Sequence, residues 1–289
     1  MEAWSKLLSE DKLTNWLQSY SIQDNSSKTV AIIMAGNIPL VGFHDFLCVL
    51  ITGHKVLAKQ SSNDKVLLNI ITKILLDYEP RFKNYIQFTE DQLSGFDAVI
   101  ATGSNNTARY FGYYFGKFQN IIRKNRNSIA VLSGNESPDD LEALSDDIFR
   151  YYGLGCRNVS KLYVPEDYNF DAFFNAVYRW HPIIHERKYA NNYDYNKAVY
   201  LMSEFDMLDN GFLVLRQDEQ LSSPNATLNF EYYNSLNDLK LKLKDLQADI
   251  QCIVADGFNE EEVKFGQTQR PGLNTYADGV DTVEFLLKI

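Results

Sequence analysis

The stretch that decides the fold is Thr29–Gln60, TVAIIMAGNIPLVGFHDFLCVLITGHKVLAKQ. It opens with the apolar run Thr29–Ala35, which is typical of a buried strand. The run Leu40–Gly53 has the length and pattern of a helix and ends at a glycine, and Lys55–Gln60 has the pattern of a second strand. A strand, a helix and a strand in this order predict a βαβ unit, in which the two strands are parallel.

The same alternation continues along the chain. Further strands are predicted at Asn84–Glu90, Asp97–Gly103, Ser128–Gly134, Lys161–Glu166, Gly211–Gln217 and Ile250–Asp256, with helices at Ser9–Tyr20, Lys65–Tyr78, Asn105–Phe118, Asp171–Trp180, Ser235–Gln247 and from Pro138 after an N-cap at Ser137. Helices of this length between strands predict an α/β protein with mostly parallel sheets. We expect two α/β lobes with a short hinge near Gly134.

Composition and charge exclude several classes of protein. The 289 residues carry a formal net charge of -10, whereas a general nucleic-acid binder would show a basic face. No N-terminal stretch has the order of a signal peptide, and no apolar run is long enough to span a bilayer. Three cysteines are an odd and sparse set for a disulfide framework, so we expect a protein of the reducing cytoplasm.

Polar residues follow three predicted strands of the first lobe, where α/β sheets bind ligands. Asn37 follows the first strand and could donate a hydrogen bond to an oxyanion. Lys59 ends the second strand, and Gly103 and Ser104 precede a helix whose N–H groups would face an anion. Each also has a structural alternative, since Asn37 and Ser104 can cap backbone and a strand-end lysine can simply be solvated. The G-x-G-x-x-G fingerprint and the P-loop are absent.

One cysteine differs from the other two in its surroundings. Cys48 and Cys252 lie within apolar runs and are predicted to pack in the core. Cys156 lies in a polar loop between the helix that starts after Ser137 and a strand, which favours a reactive thiol, with a packing role as the alternative. His181 and His185 are four residues apart without a third ligand nearby, so no metal site is predicted.

Taken in order, the short motifs resemble a known superfamily. AGNIPL, KQS, TGS, SIAVLSGNESP, GLGC and FGQTQRPGLNTYADG are similar to motifs of the aldehyde dehydrogenases, and most of all to those of the acyl-CoA reductases of the LuxC type. The resemblance covers the chain from about Thr29 to its end. It implies an aldehyde-dehydrogenase-like fold, with a Rossmann-like dinucleotide-binding lobe over residues 1–134 and a catalytic lobe over residues 135–289.

The resemblance also implies an activity and the residues that carry it. The reaction would be reduction of a fatty acyl-CoA to its aldehyde by NAD(P)H through a thioacyl-cysteine intermediate. Cys156 corresponds to the nucleophile, and its backbone N–H and the side chain of Asn37 correspond to the oxyanion hole.

The implied cofactor site lies in the first lobe. Lys59 and Ser61 correspond to residues that contact the adenosine ribose region, and Gly103 and Ser104 to a turn beside the cofactor. Relatives that prefer NAD often carry a glutamate where this chain has Ser62, so NADPH is favoured and NADH is possible. A further ribose-binding glutamate corresponds to Gln220 in QLSSP.

A second departure concerns the fate of the acyl group. Hydrolytic aldehyde dehydrogenases have a glutamate base where this chain has Val131. Without that base a water is not readily activated, so a thiol such as that of CoA is the more plausible acyl partner.

Two alternatives stay open at this point. The chain could be an aldehyde or semialdehyde oxidoreductase that uses another acyl donor. It could also be a non-catalytic member acting as the partner of a larger complex, since members of the family are usually longer at the N-terminus. Besides the acyl-CoA substrate, the resemblance implies a homodimer or a partner enzyme, and neither nucleic acid nor membrane insertion is expected.

Overall fold

The computed structural model describes residues 2–22 and 26–289. The strands are β1 (Thr29–Ile33), β2 (Lys55–Lys59), β3 (Ile86–Phe88), β4 (Ala98–Thr102), β5 (Gln119–Arg123), β6 (Asn127–Val131), β7 (Val159–Pro165), β8 (Met207–Asp209), β9 (Val214–Gln217), β10 (Thr227–Tyr233) and β11 (Ile250–Val254). The helices are α1 (Glu2–Leu7), α2 (Glu10–Leu17), α3 (Phe43–Ile51), α4 (Val66–Tyr78), α5 (Asn105–Phe115), α6 (Pro138–Phe149), α7 (Asp171–Val177), α8 (Arg187–Met202), α9 (Leu236–Asp245) and α10 (Thr282–Leu287). Among these described helices, none is long and apolar enough to cross a membrane.

The chain forms two compact units. The first comprises the chain up to Asn125 together with Gly272–Ile289, and the second comprises Arg126–Pro271. Each unit is built on its own sheet with helices against its faces, which confirms the predicted α/β class.

The sheet of the first unit has the strand order β3-β2-β1-β4-β5, and its neighbouring strands pair in parallel. The chain winds from β1 through β2 to β3 on one side and from β4 to β5 on the other. β1 and β4 therefore border the point where the winding direction reverses. In open α/β sheets, ligands bind outside the carboxyl ends of the strands at this switch point.

The two faces of the first sheet are filled by alternating residues of each strand. Val30 points to one face, where it belongs to a buried cluster with Phe46 of α3 and Val283 of α10. Ala31 points to the other face, where Phe111 of α5 packs against its cluster. Because successive side chains of a strand point to opposite faces, a continuous apolar run such as TVAII is required when both faces are covered.

The sheet of the second unit has the order β11-β6-β7-β10-β9-β8. Its strands pair in parallel except for β8, which pairs with β9 in the antiparallel direction. Leu162 of β7 lies in a cluster with Leu144 of α6 and Phe173 of α7, whereas the next residue, Tyr163, lies on the opposite face with Leu239 of α9.

The boundary between the units differs from the predicted hinge near Gly134. Strand β6, which ends at Val131, pairs with β7 and β11 of the second sheet, so the division falls at Asn125. Gly272–Ile289 returns to the first unit because Leu273 and the apolar face of α10 complete the core beside α3.

Helix α6 leads to the loop that carries Cys156, and it begins as the sequence predicts. The Ser137 hydroxyl accepts a hydrogen bond from the Asp140 N–H at 3.2 Å, and the Asp140 carboxylate accepts one from the Ser137 N–H at 3.1 Å. Pro138 occupies the first turn, where its missing N–H has no helical partner to lose. This capping box fixes the start of the helix whose other end supports the Cys156 loop.

Candidate active site

Cys156 lies in the second unit, in a tight turn between α6 and β7, and its side chain is exposed. The turn is closed by the Gly155 N–H, which donates to the Asn158 side-chain oxygen at 2.8 Å. The backbone carbonyl of Cys156 accepts a hydrogen bond from the hydroxyl of Ser128 on β6 at 2.9 Å. The backbone of the cysteine is therefore held against the sheet while its thiol is accessible.

Asn158 joins the end of α6 to the turn. Its side-chain NH₂ donates to the carbonyls of Asp147, Ile148 and Arg150 at 3.0, 3.2 and 2.9 Å. The first two carbonyls belong to the last turn of the helix, which has no intrahelical donors for them, and Arg150 is the residue that follows the helix. Asn158 is almost fully buried. One side chain thus satisfies the helix terminus and sets the start of β7.

The helix ends earlier than its apolar pattern suggests, and the backbone that follows is left-handed. Tyr151, Tyr152 and Gly153 have φ values of 53°, 60° and 72°. Glycine adopts this region freely, but each tyrosine does so at a cost of about 1 kcal/mol or more. As a result both tyrosine side chains are displayed on the surface, just before the cysteine.

A buried carboxylate connects this loop to a distant segment. Asp147 is 0% exposed and accepts hydrogen bonds from the Gly266 N–H at 2.6 Å, the Thr268 N–H at 3.0 Å and the Thr268 hydroxyl at 2.8 Å. The Thr268 carbonyl in turn accepts a hydrogen bond from the Arg157 guanidinium at 2.5 Å. Burial raises the pKa of Asp147, whereas the donors on Thr268 and Gly266 oppose that rise. Arg157, the neighbour of the cysteine, is therefore positioned by Thr268.

The other two thiols are buried, as the sequence predicts. Cys48 on α3 is 0% exposed and Cys252 on β11 is 5% exposed. Burial raises the pKa of Cys252 and raises that of Cys48 well above its ordinary value. Neither thiol forms the reactive thiolate readily.

This contrast predicts selective alkylation. Iodoacetamide at mildly alkaline pH should label Cys156 in the native protein, because its thiol is exposed, while Cys48 and Cys252 react only after unfolding. Mass mapping of the labelled peptides checks the result. Equal labelling of Cys252 under native conditions would contradict the burial of β11.

The other five predicted site residues lie in the first unit. Asn37 follows β1, Lys59 ends β2, Ser61 follows it, and Gly103 and Ser104 follow β4. Because β2, β1 and β4 are neighbours in a parallel sheet, these five residues lie along one carboxyl edge that includes the switch point.

The loop that carries Asn37 is tightly packed. A Cβ on Gly36 would lie 2.4 Å from the Ser61 hydroxyl oxygen, so only glycine allows the two turns to approach this closely. Leu40 has a φ of 61°, and its N–H donates to the Asp64 carboxylate at 2.7 Å. The turn after β2 therefore sets the course of the turn after β1.

Two of the structural alternatives for the first-unit residues are also present. The Ser104 hydroxyl accepts a hydrogen bond from the Thr107 N–H at 3.2 Å and caps α5. The Lys59 ammonium donates to the Asp91 carbonyl at 2.9 Å. A cavity of about 170 Å³ lies at the carboxyl ends of β2 and β3, and it is lined by Gln60, the residue that follows Lys59.

The comparisons with known proteins identify the family. The profile described as Acyl-CoA reductase (LuxC) matches residues 6–175, which is more than half of the chain. The chain belongs to the LuxC acyl-CoA reductase family. The match includes the turn after β1, the carboxyl edge of the first sheet and the Cys156 loop.

A curated relative and two solved structures are similar to this LuxC-family chain. A long-chain acyl-protein thioester reductase of Aliivibrio fischeri is 26% identical over 210 residues, which are 65% of this chain and 42% of that protein. An indole-3-acetaldehyde dehydrogenase of P. syringae, in complex with NAD+ and IAA, superimposes with a TM-score of 0.65 at 13% identity, covering 93% of this chain and 66% of that one. The aldehyde dehydrogenase KauB of Pseudomonas aeruginosa gives 0.63 at 12% identity, covering 84% and 62%. These two likenesses show an aldehyde-dehydrogenase fold, and the LuxC-family chain spans less than half the length of the curated relative.

The two histidines for which no metal site is predicted, His181 and His185, make aromatic ring contacts. His181 stacks on Tyr178 with ring centroids 5.2 Å apart, and the rings of His181 and His185 are perpendicular at 6.2 Å. Throughout residues 2–22 and 26–289, no group of three or more metal-ligand side chains is arranged to hold an ion.

A polar network that sequence reasoning missed holds the loop of Gln220 in this LuxC-family chain. The Lys161 ammonium donates to the Glu219 carbonyl at 2.8 Å and to the Glu231 carboxylate at 2.7 Å, and it is fully buried. The Asn229 side chain donates to the carbonyl of Gln220 at 3.0 Å. Burial lowers the pKa of Lys161, and the contact with Glu231 opposes that change. The sequence did contain a signal for this network, namely Lys161 within a predicted strand. A lysine in a central strand is buried only when charged or polar groups pair with it.

Proposed function

We propose that this chain reduces an acyl thioester to the aldehyde, with Cys156 as the nucleophile. The observation that carries the proposal is the accessible thiol of Cys156 on a backbone fixed by Asn158 and Ser128, in a chain of the LuxC acyl-CoA reductase family. A fixed backbone with an accessible thiol is what covalent acyl transfer needs.

The first step transfers the acyl group to the enzyme. The Cys156 sulfur, as thiolate, forms a bond to the carbonyl carbon of the thioester. The bond from that carbon to the CoA sulfur breaks, and CoA leaves as a thiolate that takes up a proton. The Asn37 amide is assigned the role of donor to the oxyanion of the tetrahedral state, an interaction worth about 3 kcal/mol in comparable sites.

The second step releases the aldehyde. When bound, a reduced nicotinamide dinucleotide supplies the hydride that brings the carbonyl carbon of the thioester to the aldehyde level. Cleavage of the bond between the Cys156 sulfur and that carbon then frees the aldehyde and regenerates the thiolate. Val131, where hydrolytic relatives have a glutamate base, is buried and has no proton-accepting group, which supports transfer to and from thiols rather than to water.

Two observations on the first unit fit a nicotinamide dinucleotide. The turn after β1 borders the switch point, where α/β sheets bind dinucleotides, and Gly36 lets this turn approach Ser61 of the turn after β2. The side-chain nitrogen of Gln60 is buried without a hydrogen-bond partner among the described residues, and Gln60 lines the cavity at the carboxyl ends of β2 and β3. We assign the ribose side of the cofactor to Lys59 and Ser61.

The remaining cofactor contacts are assigned to the turn after β4. Gly103 and Ser104 would face the cofactor there, beside the start of α5. Ser62 is exposed and carries no negative charge that would repel a 2′-phosphate, so we propose NADPH as the preferred reductant. The name of the relative in Aliivibrio fischeri supports a long-chain acyl thioester as the substrate class.

The decisive experiment separates the two steps. The protein is mixed with dodecanoyl-CoA without a reductant, free thiol is measured as CoA is released, and the acylated peptide is mapped by mass spectrometry. We expect one acyl group on the peptide that contains Cys156, and its release as dodecanal when NADPH is added. An acyl group on another residue, or release as dodecanoic acid, would overturn the proposal.

A further inference from the structure

An apolar cavity of about 400 Å³ lies in the second unit, next to the nucleophile loop. Its apolar lining is formed by Phe149, Tyr151, Tyr152, Trp180, Pro182 and Ile183. The volume lies within the range of small-molecule sites, and the lining is of the aromatic and aliphatic kind that such sites use. The mechanism proposed above does not use this cavity.

The floor of the cavity is buried and its wall is exposed. Phe149 and Ile183 are 2% and 7% exposed, and the rings of Phe149 and Trp180 stack with centroids 5.8 Å apart. Tyr151 and Tyr152 are 46% and 45% exposed. An aromatic wall that is left half open to solvent indicates a surface that a ligand covers.

The wall exists only because of the left-handed backbone. A helical or extended course at Tyr151 and Tyr152 would direct the two rings elsewhere, and the strained course costs stability. Strain of this kind concentrates at functional sites, where the surrounding structure maintains it. Here Asn158 maintains it by holding the Arg150 carbonyl at 2.9 Å.

The charged residues of the rim select against a charged occupant. Arg179 lines the cavity and pairs with Glu142 at 2.5 Å and with Asp146 at 3.1 Å, so its charge is already neutralised. Glu186 is the other charged lining residue and would repel a phosphate or carboxylate. The ligand that suits the interior of the cavity is therefore an uncharged aliphatic chain.

The cavity is within reach of the nucleophile. Tyr152 and Cys156 are four residues apart, so their Cα atoms are separated by at most about 14 Å even in a fully extended chain. Asn158 is hydrogen-bonded to Arg150 and to Gly155, so the loop is folded and the distance between Tyr152 and Cys156 is shorter than that limit.

We infer that this cavity binds the aliphatic chain of the acyl group that is transferred to Cys156. The inference rests on the proposed function, and it adds where the substrate chain lies. Burial of each methylene against the tyrosines and Trp180 stabilises long chains over short ones, by about fourfold per methylene group. Acyl donors with long chains are therefore the preferred substrates.

A binding experiment tests the cavity without turnover. Dodecanoyl-CoA and acetyl-CoA are titrated against the Cys156→Ala variant while tryptophan emission is recorded. We expect dodecanoyl-CoA to bind at least about tenfold more tightly and to change the emission, and we expect that change to disappear in Cys156→Ala combined with Trp180→Phe. Equal affinities, or an emission change that persists without Trp180, would overturn the inference.

A kinetic experiment uses a variant that does not threaten folding. Tyr152→Gly removes one wall of the cavity and suits the left-handed backbone, so it should fold at least as stably as the native protein. We expect its ratio of kcat/KM for dodecanoyl-CoA over butyryl-CoA to fall about tenfold. The matched control is Tyr195→Ala, an exposed tyrosine on α8 that lies outside the cavity, and its ratio should not change.

The two experiments distinguish the cavity from the function. If Cys156 is acylated but the chain-length ratio of Tyr152→Gly equals that of the native protein, the cavity is wrong and the function stands. If Cys156 is not acylated while dodecanoyl-CoA still changes the Trp180 emission, the function is wrong and the cavity holds an aliphatic chain for another purpose.

Discussion

Cys156→Ala should lower kcat/KM for acyl-CoA reduction by at least about a thousandfold, the largest effect we expect on activity. The variant has no atom that can form the covalent bond to the acyl carbon, and removal of a nucleophile is not compensated by the remaining binding groups. Because the side chain is exposed, its loss should leave the stability of the second unit unchanged. The measurement is NADPH oxidation with dodecanoyl-CoA, together with urea unfolding of both proteins.

The control for this variant is another cysteine of the same unit. Cys252→Ala removes a buried thiol on β11, so it should cost some stability but retain most of the activity. A loss of activity in Cys252→Ala equal to that in Cys156→Ala would mean that thiol removal acts through folding. Native turnover by Cys156→Ala would remove the nucleophile from the mechanism.

Asp45→Ala should destabilise the first unit by about 3–5 kcal/mol, the largest effect we expect on stability. Asp45 on α3 and Arg123 at the end of β5 are 4% and 5% exposed. The guanidinium donates to the two carboxylate oxygens at 2.5 and 2.8 Å, and to the Thr282 hydroxyl at 3.1 Å. Without the Asp45 carboxylate, the buried guanidinium keeps the Thr282 hydroxyl and the attraction of Asp278, neither of which replaces a two-oxygen partner.

Two further variants show that the buried charge is the cause. In Asp45→Leu combined with Arg123→Met, both charges are replaced by apolar groups, and the double variant should be more stable than Asp45→Ala. Lys288→Ala breaks an exposed ion pair with Glu284 on α10 and should cause no measurable loss. The free energy of unfolding in urea checks all three proteins. If the double variant is as unstable as Asp45→Ala, the loss comes from packing rather than from the uncompensated charge.

The elements that follow from the sequence are those whose pattern is local. The apolar runs around Val30 and Val56 predict β1 and β2, since strands covered on both faces must be apolar throughout. Ser137, Pro138 and Asp140 predict the start of α6, because a capping box involves only residues within one turn.

The elements that escaped prediction bury polar side chains. Helix α8 buries Tyr189, Tyr193, Asn196 and Tyr200, which have helical spacing but belong to a stretch rich in tyrosine and asparagine. Strand β10 was missed for a similar reason. It buries Asn229, whose side chain donates to the Gln220 and Ser222 carbonyls of a separate loop. Such burial depends on hydrogen-bond partners that are distant in the sequence, so no local pattern predicts it.

The same limit applies to the candidate site. The Gly–Cys–Arg sequence is enough to single out Cys156, and strand ends are enough to single out Asn37 and Lys59. The support for the cysteine loop comes from Asp147 and Thr268, which are 121 positions apart in the chain. Gly266 and Thr268 lie in the motif FGQTQRPGLNTYADG, so the sequence singles out this segment. Its contact with α6 could not be predicted from the sequence. The combination of Cys156 with Asn37 in one oxyanion site stays a prediction.

The discontinuous first unit has a consequence for biosynthesis. Leu273, Val283 and Leu286 are nearly inaccessible parts of its interior, yet the ribosome makes them after the whole of the second unit. The second unit, Arg126–Pro271, is complete in the nascent polypeptide before these residues are made. It can fold while the first unit still lacks α10. A stop codon shortly before Thr282 is therefore expected to prevent folding of the first unit, although most of that unit is synthesised first. The second unit should still fold.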